Sequence, residues 1–219
     1  MKMKKILVLL LGMALMLNMP AVCTAASSNA AGLKSGDVDR MYSFGLIRDA
    51  HVFEMNSNVT RGEAAYAFEK MIGYDTSVDK KSTPIEDVDR NVNEKEIYRV
   101  YSAGIMSTVY ENKFMPDNAV SYGDVVRAAA QLLGYTDYVL GENADFLTCL
   151  RALSDGGAVK NVVKAENSGI TWGEFVDFLD TVLEADLMKS TFSGNKIEVS
   201  KSDENILNDR MHIYKCKGI

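Results

Sequence analysis

Apolar side chains return at the same five offsets in three separate stretches of the chain. Counted from Gly62, Gly123 and Gly173, positions plus 2, 5, 6, 9 and 10 are Ala64, Ala67, Phe68, Met71 and Ile72 in the first stretch. They are Val125, Ala128, Ala129, Leu132 and Leu133 in the second, and Phe175, Phe178, Leu179, Val182 and Leu183 in the third. This spacing draws one stripe along a helix of 3.6 residues per turn. A start signal precedes each stripe: Val59-Thr60-Arg61-Gly62-Glu63, Val120-Ser121-Tyr122-Gly123-Asp124 and Ile170-Thr171-Trp172-Gly173-Glu174. A hydroxyl residue three positions before an acid is the spacing of a capping box. The pairs Thr60 and Glu63, Ser121 and Asp124, and Thr171 and Glu174 are therefore predicted to cap three helices.

A second periodic segment lies upstream of each stripe. Val38 and Met41, Ile97 and Val100, and Leu150 and Leu153 stand seven and four residues before Gly45, Gly104 and Gly157. Each glycine is followed by apolar residues, Leu46-Ile47, Ile105-Met106 and Ala158-Val159, as expected of a helix that stops at a glycine. Polar loops join the two parts, the fullest running from Thr108 to Asn118. The unit is helix, loop, helix, stated three times over residues 33–74, 83–135 and 141–188. Helices of about ten residues do not bury their faces alone, so the units are expected to pack on one another.

Residues 189–219 differ. Ser190-Thr191-Phe192-Ser193-Gly194-Asn195 is turn-rich, Lys196 to Val199 alternates, and Asp203 to Met211 has the makings of a short helical turn. His212 to Ile219 alternates like an edge strand with no visible partner, either a dangling end or the start of a further domain.

At the other end, Lys2, Lys4 and Lys5 precede an uncharged run from Ile6 to Leu17 and the small residues Cys23-Thr24-Ala25-Ala26-Ser27. This is the layout of a secretory signal peptide over residues 1–26. The run is short for a bilayer span, and Val22 stands where a lipoprotein signal centred on Cys23 wants a very small residue. The whole chain of 219 residues carries 24 basic and 30 acidic side chains; without residues 1–26 the formal charge is −9. Nucleic acid is excluded as a partner on that ground, and no remaining apolar run is long enough to span a membrane. Cys149 and Cys216 would remain, as two thiols or as one disulfide.

Catalytic patterns are scarce. His51 and His212 lie far apart, and there is no nucleophile elbow, phosphate loop or His-Glu-x-x-His motif. Asp87 to Asn93 has a calcium-loop look, but Val92 replaces the needed glycine and Tyr98 stands where the bidentate acid belongs. Acid pairs such as Glu142 and Asp145 are unremarkable in so acidic a chain. A non-enzyme without a cofactor is expected.

Taken together, the motifs resemble those of S-layer homology domains, which commonly come as three tandem units anchoring exported bacterial proteins to the cell wall. Repeat two supplies Ile85-Glu86-Asp87-Val88, Gly104-Ile105, Phe114-Met115-Pro116-Asp117-Asn118, Val120-Ser121-Tyr122-Gly123-Asp124 and Leu133-Gly134-Tyr135. Repeat one supplies Gly45-Leu46, Val59-Thr60-Arg61-Gly62-Glu63 and Ile72-Gly73-Tyr74. The resemblance implies a mostly α-helical, pseudo-threefold assembly of three such units around a central helical bundle, here with a short C-terminal tail of β character. It also implies inter-repeat grooves that bind secondary cell wall polysaccharide, often pyruvylated, and a place at the cell surface beside other surface proteins.

Carried over by position, the candidate contacts are Arg61, Tyr122 and Trp172, directly after the caps, with Asp87 of the entry motif beside them. Arg61 would project from the positive end of a helix and grip a sugar carboxylate. Tyr122 and Trp172 replace the family's arginine and offer ring faces instead, although a tryptophan more often packs across a seam.

Overall fold

The computed structural model describes residues 35–48, 54–73, 85–141, 143–160, 162–194 and 196–214. The signal segment, His51, Tyr74, Glu142 and Cys216 lie outside them. Among the described residues the fold is mixed: eight helical segments and one two-stranded antiparallel sheet. The expectation of a mostly α fold therefore holds only in outline. No described helix is long and apolar enough to cross a membrane.

The first helices of the three units are α1 (Ser35–Ser43), α3 (Glu94–Ser102) and α5 (Phe146–Asp155); the second helices are α2 (Arg61–Ile72), α4 (Tyr122–Leu132) and α6 (Trp172–Glu184). All three first helices end identically. Gly45, Gly104 and Gly157 take φ of 72°, 69° and 77°, the left-handed conformation that favours glycine. Behind each, a nested pair of bonds closes a Schellman motif. Gly45 N donates to Tyr42 O and Leu46 N to Met41 O; Gly104 and Ile105 donate to Tyr101 O and Val100 O; Gly157 and Ala158 donate to Ser154 O and Leu153 O.

The second helices begin as their spacing predicts, with one difference. In α2 and α6 the cap hydroxyl accepts from the third backbone N–H, and the glutamate returns to the cap N–H, at 2.8 Å for Thr60 and 2.9 Å for Thr171. In α4, Ser121 accepts from Asp124 N at 3.1 Å, but the Asp124 carboxylate takes the Ser121 hydroxyl and not its N–H. Aspartate is one methylene shorter than glutamate, and Asp124 is drawn toward another partner described below.

Each second helix packs on the first helix of the following unit: α2 on α3, α4 on α5, and α6 back on α1. The buried sides of α2, α4 and α6 are wide, which marks helices enclosed by others. Aromatic edges stitch them together. Phe68 of α2 meets Phe175 of α6 with ring centres 5.7 Å apart, and Tyr122 of α4 meets Phe178 of α6 at 6.4 Å. Across the α2 and α3 contact, Glu69 is buried and pairs with Arg99 and, at 3.0 Å, with Lys70.

Beyond α4 a π-helical turn, Thr136–Leu140, leads into unit three. The tail departs from its sequence reading. Helix α6 ends at Glu184, and β1 (Asp186–Ser193) follows at once, pairing antiparallel with β2 (Lys196–Asn205) in the register Phe192 to Ile197 and Lys189 to Ser200. A short α7 (Ile206–Asp209) then buries Ile206 and Leu207 against α6. The tail is thus fastened to the core and finds its strand partner within itself. His212 to Tyr214, expected to be extended edge, carries no strand.

Candidate functional site

The loops between first and second helices decide what happens at the helix starts. Arg61 N and Gly62 N donate to Asn118 O and Pro116 O, carbonyls of the loop in unit two. Tyr122 N and Gly123 N donate to Ser168 O and Glu166 O in unit three. Trp172 N and Gly173 N donate to Ser57 O and Met55 O in unit one, which closes a ring. Short bridges at Thr60 and Ala119, Ser121 and Gly169, and Asn58 and Thr171 reinforce it.

This geometry corrects one expectation. The four leading N–H groups of α2 are all used: two by the loop carbonyls, the third by Thr60 Oγ1, the fourth by Thr60 O. Helices α4 and α6 repeat the arrangement. The helix starts are therefore not open anion sites, because protein oxygens already occupy the donors. The same approach explains the glycine two residues after the cap in α2 and α4: a Cβ on Gly62 would lie 3.2 Å from Pro116 O, and one on Gly123 3.2 Å from Glu166 O.

Arg61 is corrected with it. Instead of projecting outward, its side chain is buried at 4 % exposure with every nitrogen bound. Nε donates to Phe114 O at 2.7 Å, Nη1 to Asp124 at 2.6 Å and Nη2 to Ser107 O at 2.6 Å, with the guanidinium over the Phe114 ring. Burial lowers its pKa from the ordinary value, against the opposing pull of Asp124 and then Asp87. Arg61 is a bolt between units one and two.

Asp87 serves the same loop. Its carboxylate accepts from Phe114 N at 2.8 Å and Met115 N at 2.7 Å, holding a turn in which Met115 has φ of 59°. This use as a loop anchor replaces the expected ligand contact. Tyr122 is fully buried, its hydroxyl donating to Val162 O at 2.5 Å and its ring meeting Phe146 edge-on. No face is left for a sugar. Trp172 is 7 % exposed and meets Phe175 of its own helix edge-on, so its ring is packed and not presented to solvent. Asp145 caps α5 at Thr148 N, and Cys149 is buried near Ala144 O.

Two grooves open at the junctions. The first, about 400 Å3, lies between the loop of unit two and the neighbouring units, with Arg61, Asp124, Arg127 and Glu166 on its walls. Its charges are matched, Arg61 with Asp124 and Arg127 with Glu166. The second, about 390 Å3, is lined by Arg48, Asn58, Thr60, Tyr66, Asn93 and Trp172 among others. The capping residues Thr60, Ser121, Glu63 and Asp124 thus do double duty as groove lining. Within unit three Lys164 pairs with Glu174 at 2.7 Å; burial pushes that carboxyl up, but Lys164 and the Thr171 N–H prevail and its pKa is lowered.

Sequence reasoning missed Arg48, Asn58, Tyr66 and Asn93. Asn93 ends the stretch with a calcium-loop look, the other three stand at no motif position, and of those only Arg48 carried a signal, a cation three residues beyond a Schellman glycine. No protein-family model matches the chain, and no curated protein matches it.

Burial makes Tyr122 a reporter of alkaline unfolding. Its pKa is raised from 10.0 to about 12 by desolvation. The folded state then holds its proton more tightly than the unfolded state, so the stabilisation is complete below pH 10 and disappears as pH rises to 12. Two pKa units correspond to roughly 2 to 3 kcal/mol. Urea titrations across that range should show Tyr122→Phe losing stability less steeply than wild type by about this amount, with a cost of about 1 kcal/mol at pH 7 for the missing hydrogen bond. Parallel profiles would mean that the hydroxyl reaches water.

Proposed function

We propose that the chain is an exported, non-catalytic wall-attachment module of the S-layer homology kind. In this reading three helix-loop-helix units stand in pseudo-threefold order around α2, α4 and α6, and secondary cell wall polysaccharide, including pyruvylated forms, lies in the grooves between units. The closed ring of hydrogen bonds carries it: each helix start docks on the loop of the next unit by the same two carbonyl positions, and the junctions leave grooves of a few hundred Å3. Grooves of that size accommodate a small number of sugar residues.

The mature chain is expected to sediment with purified sacculi that retain their polysaccharide and to stay soluble with sacculi stripped of it. Equal behaviour with both preparations would sink the reading, and release of soluble sugar would replace it with a hydrolase. A second reading, a surface scaffold for protein partners, draws support from the burial of Arg61 and Tyr122 and from the exposed Phe192 and Ile197 pair on the hairpin.

A further inference from the structure

The tail hairpin leaves one strand edge without a partner. Its strands are joined over two residues, Gly194 and Asn195, with Ser193 opposite Lys196. A connection that short makes Ser193 and Lys196 exchange both backbone bonds, and the ladder alternates from there. Lys196, Glu198 and Ser200 turn their N–H and C=O groups toward β1. Ile197, Val199 and Lys201 turn theirs outward, and among the described residues no hydrogen bond reaches them.

The same stretch is apolar on one face. Phe192 stands opposite Ile197, and Val199 follows Ile197 on that side; they are 81 %, 64 % and 39 % exposed. A two-stranded hairpin is marginal by itself, and an open edge of this kind recruits further strands. The base, by contrast, is held. Met188 N donates to Leu133 O at 2.8 Å, Lys189 pairs with Glu204 and Asp209, and Ile206 and Leu207 are buried. Strand β1 thus leans on the C-terminal end of α4, whereas the ring and its grooves lie at the helix starts. The open side belongs to β2.

Which strand fits this edge follows from the side chains of β2 itself. Two copies related by a two-fold axis pair antiparallel, with their apolar faces on the same side of the sheet. Centring the pair on Glu198 would oppose two glutamates, and centring it on Lys201 two lysines. Centring on Ile197 runs off the turn and leaves Lys201 unpaired, and centring on Ser200 sets Asp203 against Ile197. Val199 as the centre avoids all four faults. Val199 then meets its own copy, Ile197 lies along the aliphatic stem of Lys201, Glu198 faces Ser200 and Lys196 faces Ser202. Every outward group of Ile197, Val199 and Lys201 is bonded in that register. Each β2 has a single free edge, so the contact closes at two copies.

We propose that the chain forms a two-fold dimer through β2, giving a four-stranded antiparallel sheet with Val199 at its centre. This pairing is independent of what the grooves bind. Its test is sedimentation velocity of the mature chain over a concentration series, for wild type and Val199→Pro, with melting curves of both. Proline at 199 removes an outward N–H and leaves the bonds to β1 in place. The variant should melt within a few degrees of wild type, and its dimer should be at least about tenfold weaker. Cross-linking gives a second reading. In a Cys216→Ser background, with Cys149 buried, Val199→Cys should yield a disulfide-linked dimer on mild oxidation and Asp203→Cys should not. Paired Cα atoms about 5.5 Å apart lie within disulfide range. Should Val199→Pro melt early, the cross-link decides alone. A wild type that stays monomeric throughout the series overturns the dimer, as does a dimer that folded Val199→Pro leaves intact or that Asp203→Cys links as readily. A monomer whose Val199 amide resists exchange would assign the edge to another segment of the chain, and growth beyond two copies would overturn the two-fold closure.

Discussion

Replacing Arg61 by methionine is expected to cost about 3 to 5 kcal/mol of stability, the range for removing one partner of a buried ion pair. The side chain that remains fills much of the same volume, so packing is not the main loss. Three acceptors lose a charged donor at once: Phe114 O, Ser107 O and the Asp124 carboxylate. Phe114 O is the most damaged, because the Phe114 side chain is fully buried and Asp124 still has Ser121 and the solvent. With a urea slope of 2 kcal/mol per molar, the unfolding midpoint should fall by roughly 2 M. Arg61→Lys should fall between, keeping the charge without the fork. A change below about 0.5 kcal/mol, ordinary for a surface residue, would show that Arg61 is not the bolt described here. Loss of wall binding by an Arg61 variant therefore has to be read beside its unfolding curve.

Phe68→Ala should cost about as much, 3 to 5 kcal/mol, by a different route. Phe68 is completely buried on α2, and its ring meets Phe175 of α6 edge-on. Truncation removes the apolar surface and leaves a void where units one and three meet, with Ala64, Ala65 and Ala67 too small to fill it. Phe68→Leu, which leaves a smaller void, should cost about half as much. Urea unfolding gives the magnitude, and near-ultraviolet circular dichroism should weaken as Phe175 and its neighbour Trp172 lose a packed edge. Unchanged unfolding would mean that α2 and α6 do not rely on this contact.

Signals that act over a few residues were legible in the sequence. Thr60 with Glu63 and Thr171 with Glu174 close their boxes, and Gly45, Gly104 and Gly157 stop their helices, because each motif is completed within six residues. What could not be read depends on partners far along the chain. Arg61 looks like a surface charge until Ser107, Phe114 and Asp124 are brought around it, from 46 to 63 residues away. The Tyr122 hydroxyl finds Val162 O forty residues on. Asp124 reads as a capping acid and is one in part, but its stronger partner lies in another unit. In the tail, alternation from Lys196 to Val199 was visible, while β1 was hidden because Asp186 to Ser193 follows α6 without a glycine stop.

The ring of loop carbonyls bears on how such a chain can change over generations. In a linear solenoid a copy can be gained or lost at either end, and the array simply lengthens or shortens. Here the start of α6 docks on Met55 and Ser57, so the third copy closes on the first and there is no end at which to add a fourth. Inserting a fourth unit into the closed set would break one docked junction and require two new ones in a wider ring, whereas a point substitution leaves the ring of backbone bonds in place. Unit number is fixed by the closure, and novelty has to come from letting the three units differ, as Arg61, Tyr122 and Trp172 do at one and the same position.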